Sequence, residues 1–159
     1  MSLRAGVIAG AAGTTALNVA TYLDMVLRAR PASDLPAKAA GEVTGRAGIE
    51  LGAGKAGESR REGIGALLGY ATGLGVGALY GLVVRDRPHP VPVAALALTG
   101  AAMAGSDLPM TVLGLTDPRT WPASAWAADV LPHLAYGLTT AMVYRTLTQP
   151  CANARRRRT

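Results

Sequence analysis

Four ionisable residues of this chain sit inside apolar stretches: Asp24, Asp107, Asp129 and His133, with Asn18 as a neutral companion. A charged or imidazole group is costly to hold in such a stretch, so each is a candidate for function. Asp129 and His133 are four residues apart, which puts them on one face of a helix. A carboxylate and an imidazole on one face can pass a proton, bind a cation or tie two helices together. Ser106-Asp107 and Asp129 also stand beside expected helix breaks, where side-chain oxygens can cap free backbone groups. Three readings of the set follow: interhelical glue with capping, a wet polar pocket holding a ligand or ion, and a proton relay. A haem ligated by His133 would lack a second histidine from the same subunit, because His89 lies in a connection at the opposite end.

Other chemistry is missing from the sequence. There is no Walker loop, no HExxH, no dinucleotide fingerprint and no Ser/His/Asp set. Gly75-Val76-Gly77 resembles a phosphate loop only superficially, since no strand precedes it. The single cysteine, Cys151, excludes an internal disulfide and a Cys-based metal cluster. The expectation is a protein that is not an enzyme and holds neither metal nor cofactor. The net charge of +6 and the arginine-rich tail could suit nucleic acid. Aromatic interleaving is lacking, however, and lipid headgroups explain the charge better, so no nucleic acid is expected.

The elements that must position these residues are long and apolar. Half the chain is hydrophobic, yet only 4% is aromatic and Phe is absent. Ala, Leu, Val and Gly make up the apolar mass, unlike the larger side chains of an ordinary soluble core. A bilayer needs about 20 apolar residues of helix, and four runs supply them: about 5–27, 63–84, 92–115 and 126–147. The first is too long for a signal-peptide core and ends in arginines, so it reads as a retained span. Gly105-Ser106-Asp107-Leu108-Pro109 is expected to break or kink the third. A long connection separates the first two runs, and Pro36 to Val43 within it could start a short surface helix. Residues 1–148 thus form one membrane domain, and 149–159 a basic tail.

Glycine recurs at Gly65, Gly69, Gly73, Gly77 and Gly81, every fourth residue of the second run. In lipid no hydrophobic drive presses helices together, and small residues gain dispersion contacts by letting backbones approach. Four residues advance a helix by about 400°, so the ridge drifts roughly 40° per step. One straight neighbour cannot use all five. One partner is expected near Gly65 and Gly69 and another near Gly77 and Gly81, with Gly6 and Gly10 of the first run as a matching small face. The ridge serves either packing within one bundle or a homodimer.

Depth along the runs places Asp24, Asp107, Asp129 and His133 at one end, nearest the first and third connections, with Asn18 approaching from that end. Lys and Arg number eight on each side of a four-span arrangement. The dense, unopposed tail arginines tip the balance toward both termini being cytoplasmic.

Asn18-Val-Ala-Thr-Tyr-Leu-Asp24-Met-Val-Leu-Arg28 and Pro132-His133-Leu-Ala-Tyr136-Gly137 resemble the YagU-like family of small bacterial inner-membrane proteins. The resemblance covers the overall plan and about twenty specific positions, carried in short motifs. It implies that Asp24, His133 and Tyr136 belong to one shared feature, and it carries no established activity. The expectation is an all-α, four-transmembrane-helix bundle in a bacterial plasma membrane, with a polar pocket built from spans 1, 3 and 4. Its partners would be the lipid bilayer and either a second copy or a larger membrane complex. The leading role is structural or accessory. The alternatives are a small transporter or ion/proton conduit, and a cofactor-binding subunit of a membrane enzyme.

Overall fold

Four long helices form an up-down-up-down bundle in the structure, a computed structural model that describes residues 2–85 and 89–156, with side chains described through 149. The helices are α1 (Ser2–Arg28), α2 (Leu35–Arg46), α3 (Gly54–Val84), α4 (Val91–Val112) and α5 (Ala123–Arg156), with one 3-10 turn at Pro118–Thr120. No strand occurs among the described residues. α1 packs on α3 and α5, and α4 packs on α5; the α3–α4 seam is the thinnest side of the ring, and short α2 lies on α3. α3 and α4 are both long and apolar enough to cross a membrane.

The α1–α3 contact is antiparallel and in register. A Cβ added to Gly6, Gly10, Gly77 or Gly81 would strike the facing helix's backbone: Ser2 faces Gly81, Gly6 faces Gly77, and Gly10 faces Gly73. A Cβ on Gly10 would lie 2.7 Å from the Gly73 carbonyl oxygen and 3.2 Å from Gly77 Cα. Only glycine permits that approach. The ridge is shorter than its sequence spacing suggests. Gly69 has nothing within 4 Å of where a Cβ would stand, so it is not a packing position. Gly65 meets the backbone of Pro36 in α2, with its added Cβ 2.6 Å from the Pro36 carbonyl. The drift of the ridge explains both corrections: at Gly69 it is passing from α2 toward α1 and faces neither.

The interior is made of small residues and the exterior of large ones. Ala5, Ala9, Ala94, Ala95 and Ala102 are buried, and among the described residues Leu98 is the one leucine in the buried core. Leu27, Val83 and Val112 are instead 82%, 73% and 83% exposed. Two tyrosines fill the centre. Tyr136 donates to the Gly73 carbonyl at 2.6 Å, and Tyr144 donates to the Arg85 carbonyl with Gly81 O at 3.4 Å. Both bonds cross from α5 to α3.

Helix ends differ from expectation in three places. α3 begins at Gly54 rather than near 63, because its polar first turns extend past the apolar run and carry α2. α4 does not break at Gly105–Pro109 but runs on to Val112. Pro109 removes only the N–H that would bond Gly105 O, and the helix then stops in a Schellman turn at Gly114, φ 72°. That turn is closed by Leu115 N to Met110 O and Gly114 N to Thr111 O. α5 continues through Pro132, and its backbone runs to Arg156; of the basic tail, 157–159 lie outside the described residues.

Candidate functional site

The antiparallel register of α4 and α5 brings the C-terminal end of one beside the N-terminal end of the other. Small residues make this close: Gly137 lies against Ala95 and Thr99, and Thr99 Oγ1 donates to His133 O at 3.2 Å. One turn further along, side chains replace backbone. His133 Nδ1 is 2.8 Å from the Asp129 carbonyl oxygen and 3.3 Å from Asp129 Oδ1. Its Nε2 is 3.4 Å from Ser106 Oγ, which is 3.2 Å from Asp107 Oδ1. The His133 and Asp129 side chains are 12% and 18% exposed.

The hydrogens of this chain follow from its acceptors. A carbonyl oxygen cannot donate, so His133 Nδ1 carries the hydrogen toward Asp129. In the neutral ring Nε2 is then an acceptor, and the Ser106 hydroxyl donates to it. In the imidazolium Nε2–H donates to Ser106 Oγ instead, and the hydroxyl hydrogen is free to turn to Asp107. The Ala102 and Met103 carbonyls, at 3.2 and 3.1 Å, compete for that hydrogen. Asp129 Oδ2 is buried and has no hydrogen-bond partner. Among the described residues no group of three or more His, Cys, Asp or Glu is arranged to hold a metal ion.

The expected single pocket is four separate places. Asp107, Asp129 and His133 come together, with Asp107 meeting the ring through Ser106. Asp24 does not join them. It pairs with Arg28, four residues on, at 2.6 Å, and with Arg30. Ala29, at φ 49°, turns the chain so that Arg30 folds back; Arg30 N closes the turn on Met25 O at 3.2 Å. That conformation costs an alanine about 1–2 kcal/mol. The Asp24 carboxylate holds the Arg28 guanidinium above its usual range. Arg28 Nη1 reaches the Ser124 carbonyl, so this pair sits at the same end of the bundle as the His133 cluster but on the α1–α5 side. Asn18 donates to Tyr70 Oη at 3.4 Å, between α1 and α3. Tyr136 is three residues from His133, rotated by about 60°, and it turns to α3 while His133 turns to α4. The shared feature of Asp24, His133 and Tyr136 that the resemblance implied is therefore not a contact.

Ser106, Arg28, Arg30 and Tyr144 are working residues that the sequence did not bring forward as site members. Two carried a usable signal. Arg28 is four residues from Asp24, and Tyr144 is eight from Tyr136, the same interval as Gly73 to Gly81. Comparison of the chain with protein-family models, curated proteins and solved structures finds no match.

Proposed function

We propose that the chain is a small multi-pass membrane protein, with all four long helices crossing the bilayer, whose role is structural or accessory. One observation carries this: the bundle buries alanine and glycine and exposes leucine and valine. In the apolar stretches of α3 and α4 only 22% and 28% of residues are buried. A soluble protein's core helix would bury most of such a stretch, and lipid is the solvent that suits the exposed side. Within this reading the Asp129–His133–Ser106–Asp107 chain fastens α4 to α5. The α1-facing glycines are already occupied within the chain, which favours bundle packing over a homodimer along the ridge. Extraction of expressed membranes with alkaline carbonate tests the membrane reading: the protein stays in the pellet, and release into the supernatant would overturn it. The structural role is tested by gentle solubilisation and native mass measurement, which is expected to give a defined stoichiometric assembly.

A second reading, a proton conduit, has its own support in the unpartnered Asp129 Oδ2 and the reversible Ser106 hydroxyl. A proton on Asp107 would pass to Ser106 Oγ as the hydroxyl hydrogen moves to His133 Nε2, leaving carboxylate and imidazolium. Liposomes holding the purified protein and a pH-sensitive dye distinguish the two. The structural reading expects no proton flux above empty liposomes under an imposed potential. Flux that His133→Gln abolishes would favour the conduit.

A further inference from the structure

An open groove of about 490 Å³ lies between the C-terminal end of α1 and the N-terminal end of α5, lined by Arg28, Arg30, Ser124, Ala125 and Ala128. The fastening role of the α4–α5 cluster leaves it unused. Its α5 wall is built of small side chains, which is why there is room. Its α1 wall is two guanidinium groups with one carboxylate, Asp24, between them. The three charges leave an excess of one positive.

Asp24 holds both arginines in place without exhausting them. Arg28 donates from Nε and Nη2 to Asp24 and from Nη1 to Ser124 O. Arg30 donates from Nε to Asp24 and from Nη1 to Pro31 O. A guanidinium has five N–H donors, so each arginine keeps N–H groups for another acceptor. Their side chains are 35% and 24% exposed, enough to meet one. The fixed fork of such a group matches the paired oxygens of a phosphate.

The setting points to the source of that phosphate. Trp121 and Trp126 pack edge-to-face, 5.1 Å between ring centres, at the start of α5. Such rings favour the boundary between hydrocarbon and headgroups. Leu131, about one turn beyond Ala128 on α5, is apolar and 58% exposed. We propose that the groove binds the phosphate of an anionic membrane lipid, with Arg28 and Arg30 on the headgroup and an acyl chain along α5. This rests on the membrane reading above.

The test uses the full chain in a non-ionic detergent, with lipid retention read by native mass spectrometry and the unfolding midpoint read alongside. The probes are phosphatidylglycerol, phosphatidylcholine and inorganic phosphate. Phosphatidylglycerol is expected to be retained in preference to phosphatidylcholine and to raise the midpoint. Arg30→Gln should weaken its retention about five-fold, Arg30→Lys should restore part of it, and Arg60→Gln, a basic residue outside the groove, should leave it unchanged. Arg28→Gln is a poorer probe because it also frees Ser124 O and unbalances Asp24. Equal retention of both lipids by the wild type would overturn the proposal, as would an equal loss with Arg60→Gln. Inorganic phosphate competing as well as the lipid would overturn the lipid assignment. Release by alkaline carbonate would instead sink the membrane reading itself, a separate result.

Discussion

The two antiparallel contacts of the bundle, α1 with α3 and α4 with α5, are built on opposite plans. α1 meets α3 through the absence of side chains: Gly6 and Gly10 lie against Gly73, Gly77 and Gly81, backbone on backbone. α4 approaches α5 that closely at Gly137, and the contact then hands over to Leu98 and Ala102 and finally to His133, Ser106 and the two aspartates. The first contact draws on dispersion where the glycines meet, and its side-chain hydrogen bond, Asn18 to Tyr70, lies beyond them. The second holds ionisable groups that can change their hydrogen-bond partners. Rigidity and adjustability are thus assigned to different pairs of helices, and substitutions on the two sides should fail in different ways.

The largest effect is expected where a side chain is forced into the backbone contact. Gly77→Leu has no space to enter, because even its Cβ would lie 2.7 Å from Gly10 Cα. It should destabilise the bundle by about 3 kcal/mol, the upper end for overpacking. Gly69→Leu belongs to the same sequence repeat but enters open space, and it should cost nothing by packing. Unfolding in mixed detergent micelles reads both. Similar losses for the two variants would show that glycine spacing, rather than contact, governs the ridge.

The polar contact should show coupling instead. His133→Gln leaves the half-buried Asp129 carboxylate without its imidazole, at about 1–3 kcal/mol. The double variant Asp129→Asn/His133→Gln should cost less than the sum of the single changes, because it removes the orphaned charge as well. Additive losses would mean that Asp129 and His133, both on α5, do not act as a pair.

The contrast also explains what could be read from the chain without coordinates. Long apolar runs, a repeating glycine and acids set in hydrophobic sequence are local signals, and they point to helices, a small-residue face and candidate polar groups. The side on which each residue acts is not local. Gly65, Gly69 and Gly73 look equivalent in sequence, yet they face α2, open space and α1 because the ridge rotates under its neighbours. Asp24 and Asp107 both lie toward the end nearest the first and third connections, yet Asp24 is claimed by Arg28 and Arg30 through a turn at Ala29 that no residue type announced. Ser106-Asp107 with Pro109 suggested a break, but Pro109 stands three residues before the end of α4, and the helix runs through it to Val112.

A smaller effect sits between the two plans. Tyr136 belongs to α5 and bonds the Gly73 carbonyl of α3, so it links the polar helix to the glycine ridge. Tyr136→Phe keeps the ring's packing and removes only the hydroxyl. Gly73 O retains its own helical partner, so the expected loss is about 1 kcal/mol. Tyr136→Leu should cost more, because the ring fills the centre against Gly13 and Gly73. Equal losses would assign the residue's contribution wholly to the hydroxyl.

The smallest stability effect is expected at Ser106, and it separates fastening from relay most sharply. Ser106→Ala removes the one group between His133 Nε2 and Asp107 Oδ1. The hydroxyl has alternative acceptors in its own helix, the Ala102 and Met103 carbonyls, and those keep their backbone partners when it is gone. His133 Nδ1 stays bonded to the Asp129 carbonyl in the variant, so the ring remains anchored. The loss should therefore fall below about 1 kcal/mol. If the cluster serves only to hold α4 against α5, Ser106→Ala should pass every functional assay as the wild type does. If a proton moves between Asp107 and His133, the variant should lose that movement while unfolding almost as the wild type does, and Ser106→Thr, which returns a hydroxyl, should recover it. Flux lost in Ser106→Ala and regained in Ser106→Thr, at nearly unchanged stability, would turn the adjustable contact from a fastening into a pathway.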